Sequence, residues 1–243
     1  PLLRHVGFPT AEVLGPSASE DEIAGLIKRH GQIFIKPLFR GGVGKKGKSG
    51  LIGRAKDLRT ALAEKERLYF AEHRHGNATA KANGVTFEGG VPAEHEVYFS
   101  ITDDTRYRAP TITITHRGGV DIEELGKDEI ATIPFDALTG LKAFVIANAL
   151  SDIGAPREII SPLVQHLPKL WELMHHYGMT TLELNPIRMR PDGGGRLTPV
   201  ACDFKCGFDR DDPRVARLNL PQHLFAADVG AFEQEVNELR THQ

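Results

Sequence analysis

The first regular pattern of hydrophobic and polar positions predicts a helix close to the N-terminus. Apolar residues recur at helical spacing over residues 23–27, directly behind an acidic first turn. Ser17 and Ser19 stand where an N-cap is expected, and Gly31 stands where helices commonly end. The pattern therefore predicts a capped helix that runs to about His30.

The pattern that follows predicts a short buried strand, a second strand and a longer helix. Ile33–Ile35 is an apolar run, and Lys36-Pro37 is expected to close this strand because proline cannot donate to a central ladder. Leu51-Ile52 predicts the second strand, and residues 57–74 have the charge mix and spacing of an amphipathic helix. Together these elements would form a first lobe.

Alternation of apolar and polar residues in the middle of the chain predicts antiparallel strands that bury one face. The apolar pairs that carry this alternation are Val85 and Phe87, Val97 and Phe99, and Ile112 and Ile114. Helices are predicted after them, over Leu138–Leu150, Pro156–Tyr177 and Ala227–Leu239. The second of these helices carries an apolar stripe, which is typical of a helix that packs on a core.

A pair of strands joined by a turn is predicted before the last helix. Thr180–Met189 and Arg196–Phe204 are expected to pair, because the glycine-rich segment 191–195 between them is typical of a hairpin turn. Such a hairpin would bring Asn185 close to Asp203.

Composition and charge exclude several classes of function. Thirty basic and 32 acidic residues leave a net charge of −2, so no chain-wide positive field would attract nucleic acid or an anionic membrane. No apolar run approaches the ~18 residues that a membrane span requires, and the N-terminus lacks the pattern of a signal peptide. Cys202 and Cys206 are too few for a disulfide framework and lack zinc-site spacing. We therefore expect a cytoplasmic protein with reduced cysteines.

The most basic segment is a glycine-rich loop, RGGVGKKGKSG at residues 40–50. Its glycines free backbone N–H groups to face an anion, and its positive charges suit phosphate. Gly42–Ser49 also matches the phosphate-loop pattern GxxxxGK[ST], in which a helix opens at Lys48. Gly50 and Gly53 fall in the first turn of that helix and would weaken it. A purely structural basic loop is a third interpretation.

Two polar segments on the arms of the predicted hairpin form a candidate metal site. Glu183–Pro186 and Cys202–Lys205 place Asn185 opposite Asp203. A carboxylate and an amide oxygen suit Mg²⁺, with nucleotide phosphates and water completing an octahedron. Alternatively, Asn185 caps a turn before proline, and Asp203 pairs with Lys205 on the surface.

The segment Phe87–Pro92, with Glu96 beyond it, is a candidate nucleotide-binding edge. A carboxylate at a strand end, such as that of Glu88, accepts hydrogen bonds from an adenine amino group or from ribose hydroxyls. Exposed backbone at the adjacent glycines is also suited to contact the edge of adenine. Alternatively, these glutamates are solvated charges that protect a strand edge.

Taken in order along residues 1–212, these segments resemble the ATP-grasp domains of the succinyl-CoA synthetase β subunit and of ATP-citrate lyase. The segments that carry the resemblance are Lys36, the basic loop, Glu88–Glu96, Gly118–Asp121, Asp136–Gly140, Leu184–Pro186 and Asp203–Gly207. The stretches EGGVP and HRGGVD are similar to ATP-citrate lyase. The pattern Asp-x-Lys-x-Gly-x-Asp that ends at Asp209 is similar to succinyl-CoA synthetase.

The resemblance implies a site for ATP and Mg²⁺. The implied nucleotide-binding residues are Lys36 at the phosphates, Lys45, Lys46 and Gly47 in the phosphate-covering loop, Glu88, Gly89 and Val91 at the purine, and Glu96 at the ribose. The implied metal ligands are Asn185 and Asp203. The basic loop is slightly longer than is usual in the family.

The resemblance also implies an ATP-dependent carboxylate–CoA ligase. In the family, ATP phosphorylates a histidine on a CoA-binding partner subunit or separate domain, and the phosphoryl group then activates a small carboxylic acid for attack by CoA. We therefore expect a hetero-oligomer that uses citrate, succinate or malate. None of the 11 histidines matches the phosphorylated histidine, so no catalytic nucleophile is expected in this chain. The family's β chains continue into a further α/β domain, so this chain is expected to be incomplete alone.

The implied fold is α+β, an ATP-grasp arrangement of two α+β lobes with nucleotide between them. Within residues 1–243, a first lobe of about residues 13–91 would be inserted into a second lobe of about residues 1–12 and 92–243. Two other functions remain open. A phosphate-loop NTPase would depend on Lys48, whereas a non-catalytic regulatory module would bind nucleotide through Lys36 and Glu96 without transferring phosphate.

Overall fold

Two antiparallel sheets organise the fold, and helices cover one face of each. The structure is a computed structural model that describes residues 2–39, 50–75, 78–119, 122–209 and 212–219. A short helix, α1 (Leu2–His5), begins the described chain. The α+β class expected from the sequence is therefore confirmed. The helix predicted over Ala227–Leu239 lies outside the described residues.

The first sheet uses strands from the first part of the chain. Its strands are β1 (Val13–Leu14), β2 (Ile33–Phe39), β3 (Gly53–Ala55), β4 (Glu72–His75) and β5 (Ala78–Gly89). They are ordered β1-β5-β2-β3, with β4 also paired to β5. Helices α2 (Glu20–His30) and α3 (Leu58–Tyr69) cover one face, where Ile23, Ile33 and Phe87 share a buried core.

The second sheet uses strands that follow Pro92. Its strands are β6 (His95–Asp104), β7 (Ala109–Thr115), β8 (Ala131–Pro134), β9 (Met179–Pro191), β10 (Leu197–Ala201) and β11 (Phe204–Phe208). They are ordered β10-β9-β6-β7-β8, and β11 pairs with β9. Helices α4 (Ala143–Asp152), α5 (Arg157–His166) and α6 (Pro168–Tyr177) cover one face. Two short 3₁₀ helices, Ile122–Glu124 and Pro213–Leu218, complete the described elements.

The local signals at the first long helix are confirmed. Ser19 is the N-cap of α2, and its Oγ accepts from the Glu22 amide at 3.3 Å while Glu22 Oε2 accepts from the Ser19 amide at 2.8 Å. This reciprocal pair is a capping box, which stabilises the helix N-terminus. Gly31 ends the helix in the left-handed conformation, at φ 70°.

The predicted end of β2 at Lys36-Pro37 is wrong, because the strand continues to Phe39. Strand β3 pairs with β2 only over Ile33–Ile35, whereas β5 pairs with β2 as far as Phe39. Among the residues that the structure describes, Pro37 therefore has a neighbouring strand on one side only, so its missing N–H leaves no gap in a central ladder there.

Two further boundaries in the first half also differ from the prediction. The second strand is Gly53–Ala55 rather than Leu51-Ile52, because residues 53–55 are the ones that pair with β2. The helix predicted over residues 57–74 ends at Tyr69, and Glu72–His75 instead pairs with β5. Backbone pairing between consecutive strands, β4 and β5, overrides the helical pattern at its C-terminal end.

Two helices predicted in the second half of the chain have different boundaries in the structure. Helix α4 begins at Ala143 rather than Leu138, because Asp136 Oδ1 accepts from the Leu138 and Thr139 amides and holds a turn there. The helix predicted over Pro156–Tyr177 is two helices, α5 and α6. Pro168 begins the second one, since proline suits the first turn of a helix but not its interior.

The alternating strands and the closing hairpin are confirmed, with one correction. The six apolar residues of the alternating pairs are all 0% exposed. Strands β9 and β10 pair from Pro191↔Leu197 to Ile187↔Ala201, as the hairpin prediction requires. The second arm is not continuous over residues 196–204, because it divides into β10 and β11 on either side of Cys202-Asp203. None of the helices in the described ranges combines the length and apolar character that a membrane crossing requires.

Candidate functional site

The two sheets meet at a junction where the chain crosses between them. The Ala11 amide donates to Ala201 O of the second sheet at 3.0 Å, and Glu12 O accepts from the Gly89 amide of the first sheet at 2.9 Å. The side chains of Ala11, Val91 and Val200 form a small buried cluster there, with Cys202 packed against it. The candidate functional residues lie around this junction.

Lys36 connects the two sheets. Its Nζ donates to Glu88 Oε2 at 2.8 Å within the first sheet and to Cys202 O of the second sheet at 3.0 Å. The lysine side chain is 22% exposed, so the ammonium is partly shielded from water. Its charge therefore acts at the point where the two sheets face each other, beside Asp203.

Glu88 is buried, with 7% of its surface exposed. Burial raises the pKa of its carboxyl, although the Lys36 ammonium opposes this shift; the nearby Asp203 carboxylate raises the pKa further. Burial similarly raises the pKa of the Cys202 thiol to about 12. Both shifts have the same main cause, which is that the junction excludes water and penalises negative charge.

Glu96 is paired with an arginine that the sequence argument did not identify. Arg188 lies opposite Glu96 in the β6–β9 ladder, and its Nη2 lies 2.7 Å from Glu96 Oε1. The same guanidinium donates through Nη1 to Val91 O at 3.0 Å. One arginine thus connects the predicted ribose-facing glutamate to the predicted purine segment.

Asn185 and Asp203 are neighbours, as the hairpin prediction requires. The Asn185 amide donates to Asp203 O at 3.3 Å, and Asn185 Oδ1 accepts from the Gly119 amide at 2.9 Å. Asp203 Oδ1 accepts from the Phe204 amide at 3.1 Å. Within the described residues, no ion pair joins Asp203 to Lys205, so the surface-pair alternative is not supported.

The side-chain oxygens of Asn185 and Asp203 are of the type that Mg²⁺ prefers. One carboxylate and one amide oxygen are hard ligands, and a backbone hydrogen bond joins the two residues that carry them. Among the described residues no group of three or more His, Cys, Asp or Glu side chains is placed to hold a metal. A magnesium ion here would therefore take most of its ligands from phosphate oxygens and water, which is common for this ion.

The basic loop and the phosphate-loop alternative have different outcomes. Lys45, Lys46 and Gly47 lie outside the described residues, so their implied role stays a prediction. A phosphate loop requires a helix that opens at Lys48, but Gly50 lies in a turn and the next element is strand β3. The described residues after the motif thus contain a turn and a strand where the phosphate-loop interpretation requires a helix, so this interpretation is wrong.

Gly118 and Gly119 follow β7 and contact Glu96 and Asn185 of the second sheet. The Gly118 amide donates to Glu96 O at 2.7 Å, and the Gly119 amide donates to Asn185 Oδ1. Gly119 has φ +74°, and a Cβ added there would overlap Glu96 Oε2. This glycine pair therefore allows Glu96 and Asn185 to approach one loop together.

Gly119→Ala should lower the free energy of unfolding by about 1–3 kcal/mol, because alanine is strained at this φ and its Cβ would displace Glu96. Urea titration of the wild type and the variant measures the difference. Gly15→Ala is the matched control, since a Cβ at Gly15 meets no atom within 4 Å and its φ is ordinary. Equal losses in both variants would contradict the close approach described here.

A cleft of about 500 Å³ opens beside the junction. It is lined by Arg4, Gly7, Phe8, Pro9, Thr10, Ala11, Glu12, His30, Gly90, Val91, Pro92 and Arg190. Among these residues, Val91 also belongs to the candidate site, whereas Lys36, Glu88 and Asp203 lie outside the lining. We therefore locate the site by its polar contacts and not by this cleft.

Sequence reasoning missed Arg188, although a signal for it exists. Arg188 and Arg190 alternate with Ile187 and Met189, which are both fully buried. Two arginines on one face of a strand with a buried opposite face indicate a charged cleft. The partner of Arg188 could not be read from the sequence, because the register between β6 and β9 joins residues that are far apart in the chain.

A protein-family model described as an ATP-grasp domain matches residues 3–189. The β subunit of succinate–CoA ligase (ADP-forming) from Desulfurococcus amylolyticus is 30% identical over 242 residues, which cover 98% of this chain and 61% of the relative. The corresponding subunit from Desulfatibacillum aliphaticivorans is 27% identical over 214 residues, covering 86% and 54%. The chain thus spans between half and two thirds of the length of these relatives.

Solved structures show the same fold at lower identity. ATP citrate lyase from Methanothrix soehngenii, in complex with citrate and coenzyme A, is 20% identical with a TM-score of 0.62, covering 87% of this chain and 48% of that one. The dinucleotide-forming acetyl-coenzyme A synthetase 1 of Ca. Korarchaeum cryptofilum, in complex with coenzyme A and Ca-AMPCP, is 14% identical with a TM-score of 0.64. That match covers 85% of this chain and 89% of the synthetase chain.

The comparisons agree with the two-sheet architecture. The family model covers both sheets as far as β9, and the similar structures extend over most of the chain. The resemblance expected from the order of the sequence segments is therefore confirmed. This chain belongs to the ATP-grasp domain family; it is similar in sequence to succinate–CoA ligase β subunits and shares its fold with ATP-citrate lyase.

Proposed function

We propose that this chain binds ATP with Mg²⁺ between its two sheets. The observation that carries the proposal is the position of Lys36, which belongs to the first sheet and contacts Cys202 O of the second sheet beside Asp203. A lysine ammonium held against the residue that precedes a carboxylate would suit a phosphate group bound together with a divalent cation. The family match supports the same assignment.

The proposed nucleotide site uses the residues identified in the sequence. Lys36 would contact the phosphates, Glu88, Gly89 and Val91 the purine, and Glu96 the ribose, while Lys45, Lys46 and Gly47 would cover the phosphates. The expectation that exposed backbone at these glycines contacts adenine does not hold for their N–H groups, because the Gly89 and Gly90 amides donate to Glu12 O and Gln32 O and hold the segment against neighbouring strands. The proposed lobes are residues 13–91 and the remainder, 1–12 with 92–243.

Lys36 and Glu88 would change partners when nucleotide binds. Phosphate oxygens would compete with Glu88 for the Lys36 ammonium, and Glu88 can lose its charge more easily than usual because burial raises its pKa. Asn185 and Asp203 would hold Mg²⁺, which neutralises the charge that spreads over a phosphoryl group in transfer. The chain would thus supply positioning and electrostatic stabilisation, not a nucleophile.

We further propose that the chain serves an acyl-CoA-forming ligase. The named relatives are β subunits of succinate–CoA ligase, which supports transfer of the phosphoryl group to a histidine on a CoA-binding partner subunit or domain. That step would activate a small carboxylic acid of the citrate, succinate or malate type within a cytoplasmic hetero-oligomer. We do not propose His175 or His176 for this role, since they lie in the last turn of α6, whose apolar residues pack in the core of the second sheet.

The test compares ATP binding with phosphoryl transfer. Calorimetry of the chain with ATP, in Mg²⁺ and in EDTA, should show binding that depends on the metal. The chain combined with the CoA-binding part of its enzyme and [γ-³²P]ATP should then show an acid-labile label on that partner. Metal-dependent binding without label, with all partners present, would favour the regulatory module. Absence of binding at millimolar ATP in the complete enzyme would overturn the proposal.

A further inference from the structure

Arg188 occupies a position between three parts of the proposed nucleotide site. Its Nη2 pairs with Glu96 Oε1 at 2.7 Å, and its Nη1 donates to Val91 O at 3.0 Å. Burial raises the pKa of Glu88, and the positive charge of Arg188 opposes this rise, so the guanidinium acts on that carboxyl as well. No other described side chain forms polar contacts with both Glu96 and the backbone of the purine segment.

The contacts of Arg188 hold Glu96 in a defined orientation. Oε1 of Glu96 is bound to the guanidinium, whereas Oε2 lies beside Gly119 and has no hydrogen-bond partner among the described residues. The Glu96 side chain is 31% exposed, so it is only partly shielded from solvent. A carboxylate with one oxygen anchored and the other free is prepared to accept a hydroxyl hydrogen bond.

Arginine suits this position for a geometric reason. Its rigid fork reaches a carboxylate and a carbonyl at the same time, while the single ammonium of lysine is a point charge. The Nε–H of Arg188 is buried and has no partner in the described structure. A buried N–H without a partner is unfavourable, so an arginine placed only for stability would be expected to satisfy it.

We propose that Arg188 is a positioning residue for ribose recognition. By holding Glu96 Oε1 and Val91 O together, it sets the distance between the ribose subsite and the purine edge, and it leaves Glu96 Oε2 to accept a ribose hydroxyl. This inference rests on the proposed function, because it needs a nucleotide bound at Glu96. It predicts that the preference for ribonucleotides over deoxyribonucleotides depends on a residue that need not touch the sugar.

The experiment measures Kd for ATP, 2′-deoxy-ATP and 3′-deoxy-ATP with Mg²⁺. The proteins are the wild type, Arg188→Met, Arg188→Lys, Glu96→Gln and the double variant Glu96→Gln/Arg188→Met. Arg196→Met is the control, since Arg196 is an exposed arginine in the β9–β10 turn. Thermal melting of each protein establishes that it is folded, and Arg188→Lys supplies a second variant with its charge retained if Arg188→Met is unstable.

We expect the wild type to prefer ATP over at least one deoxy analogue. Arg188→Met and Arg188→Lys should reduce that preference about tenfold, the size of one hydrogen bond to a charged group. The preference for ATP over the deoxy analogues should be no smaller in the double variant than in Glu96→Gln alone, because both changes remove the same contact. Arg196→Met should keep the wild-type preference.

Two results would overturn the inference in distinguishable ways. If the Arg188 variants weaken ATP and its deoxy analogues equally, Arg188 supports the fold and not ribose recognition. If the wild type binds ATP through Lys36 without any preference for ribose, Glu96 is not a ribose contact and the inference fails while the ATP site stands. Absence of ATP binding by the wild type in the complete enzyme would overturn the proposed function as well.

Discussion

Lys36→Met should reduce the affinity for Mg²⁺-ATP by about 30-fold or more, the effect expected when one partner of a largely buried charge contact is removed. The ammonium lies at the meeting point of the two sheets, within hydrogen-bond distance of both Glu88 and Cys202 O. Methionine keeps much of the length of the side chain but cannot attract a phosphate. Calorimetric titration of ATP in the presence of Mg²⁺ measures the loss.

The Lys36 experiment needs a control for stability, because the variant leaves Glu88 buried without its cation. Lys36→Met/Glu88→Gln removes both charges and should recover most of the lost stability but not the affinity. Lys28→Met is the surface control, since Lys28 is exposed on α2. Recovery of ATP affinity in the double variant would show that Lys36 acts only by neutralising Glu88, contrary to the proposed phosphate contact.

Asp203→Asn should weaken the Mg²⁺-dependent part of ATP binding by about 100-fold. Changes to groups that merely support a metal ligand cost about 10–100-fold in metal affinity, and loss of a ligand charge should cost at least as much. Asparagine keeps the shape of the side chain and the backbone bond between Asp203 O and Asn185. The measurement is the ratio of ATP affinities with Mg²⁺ and with EDTA, for the wild type and the variant.

A matched substitution separates a local effect from a change in net charge. Asp152→Asn removes one negative charge at the exposed C-terminus of α4, a segment that contributes no residue to the candidate site. This variant should leave the ratio of ATP affinities with Mg²⁺ and with EDTA unchanged. If Asp203→Asn also leaves the ratio unchanged, Asp203 does not hold the metal. If the variant instead binds ATP more tightly with and without Mg²⁺, the carboxylate repels phosphate and the proposed site lacks a metal at this position.

Much of the candidate site could be predicted from short segments of the sequence. Lys36 follows a buried strand, Glu88 ends another, and Asn185 and Asp203 flank a turn whose glycines indicate a hairpin. Each signal is local, and the structure brings these residues to one junction. Arg188 and Gly119 could not be assigned in this way, because their partners depend on which strands and loops become neighbours.

The sequence by itself determined where the apolar faces are and where α2 is capped. Period-two alternation marks the buried faces of β5, β6 and β7, since a strand turns every second side chain toward the core. Ser19 and Gly31 specify the ends of α2, because their effects act on backbone groups within one helical turn.

Only the tertiary structure decided the extent of the strands and the composition of the site. Residues 53–55 rather than 51–52 form a strand because they pair with β2, and Pro37 stays inside β2 because β3 ends before it reaches that point. The pairing of Arg188 with Glu96 likewise follows from the register of β9 on β6. The register between strands that are distant in the chain selects which side chains meet, and this register depends on burial of one sheet face and not on local propensity.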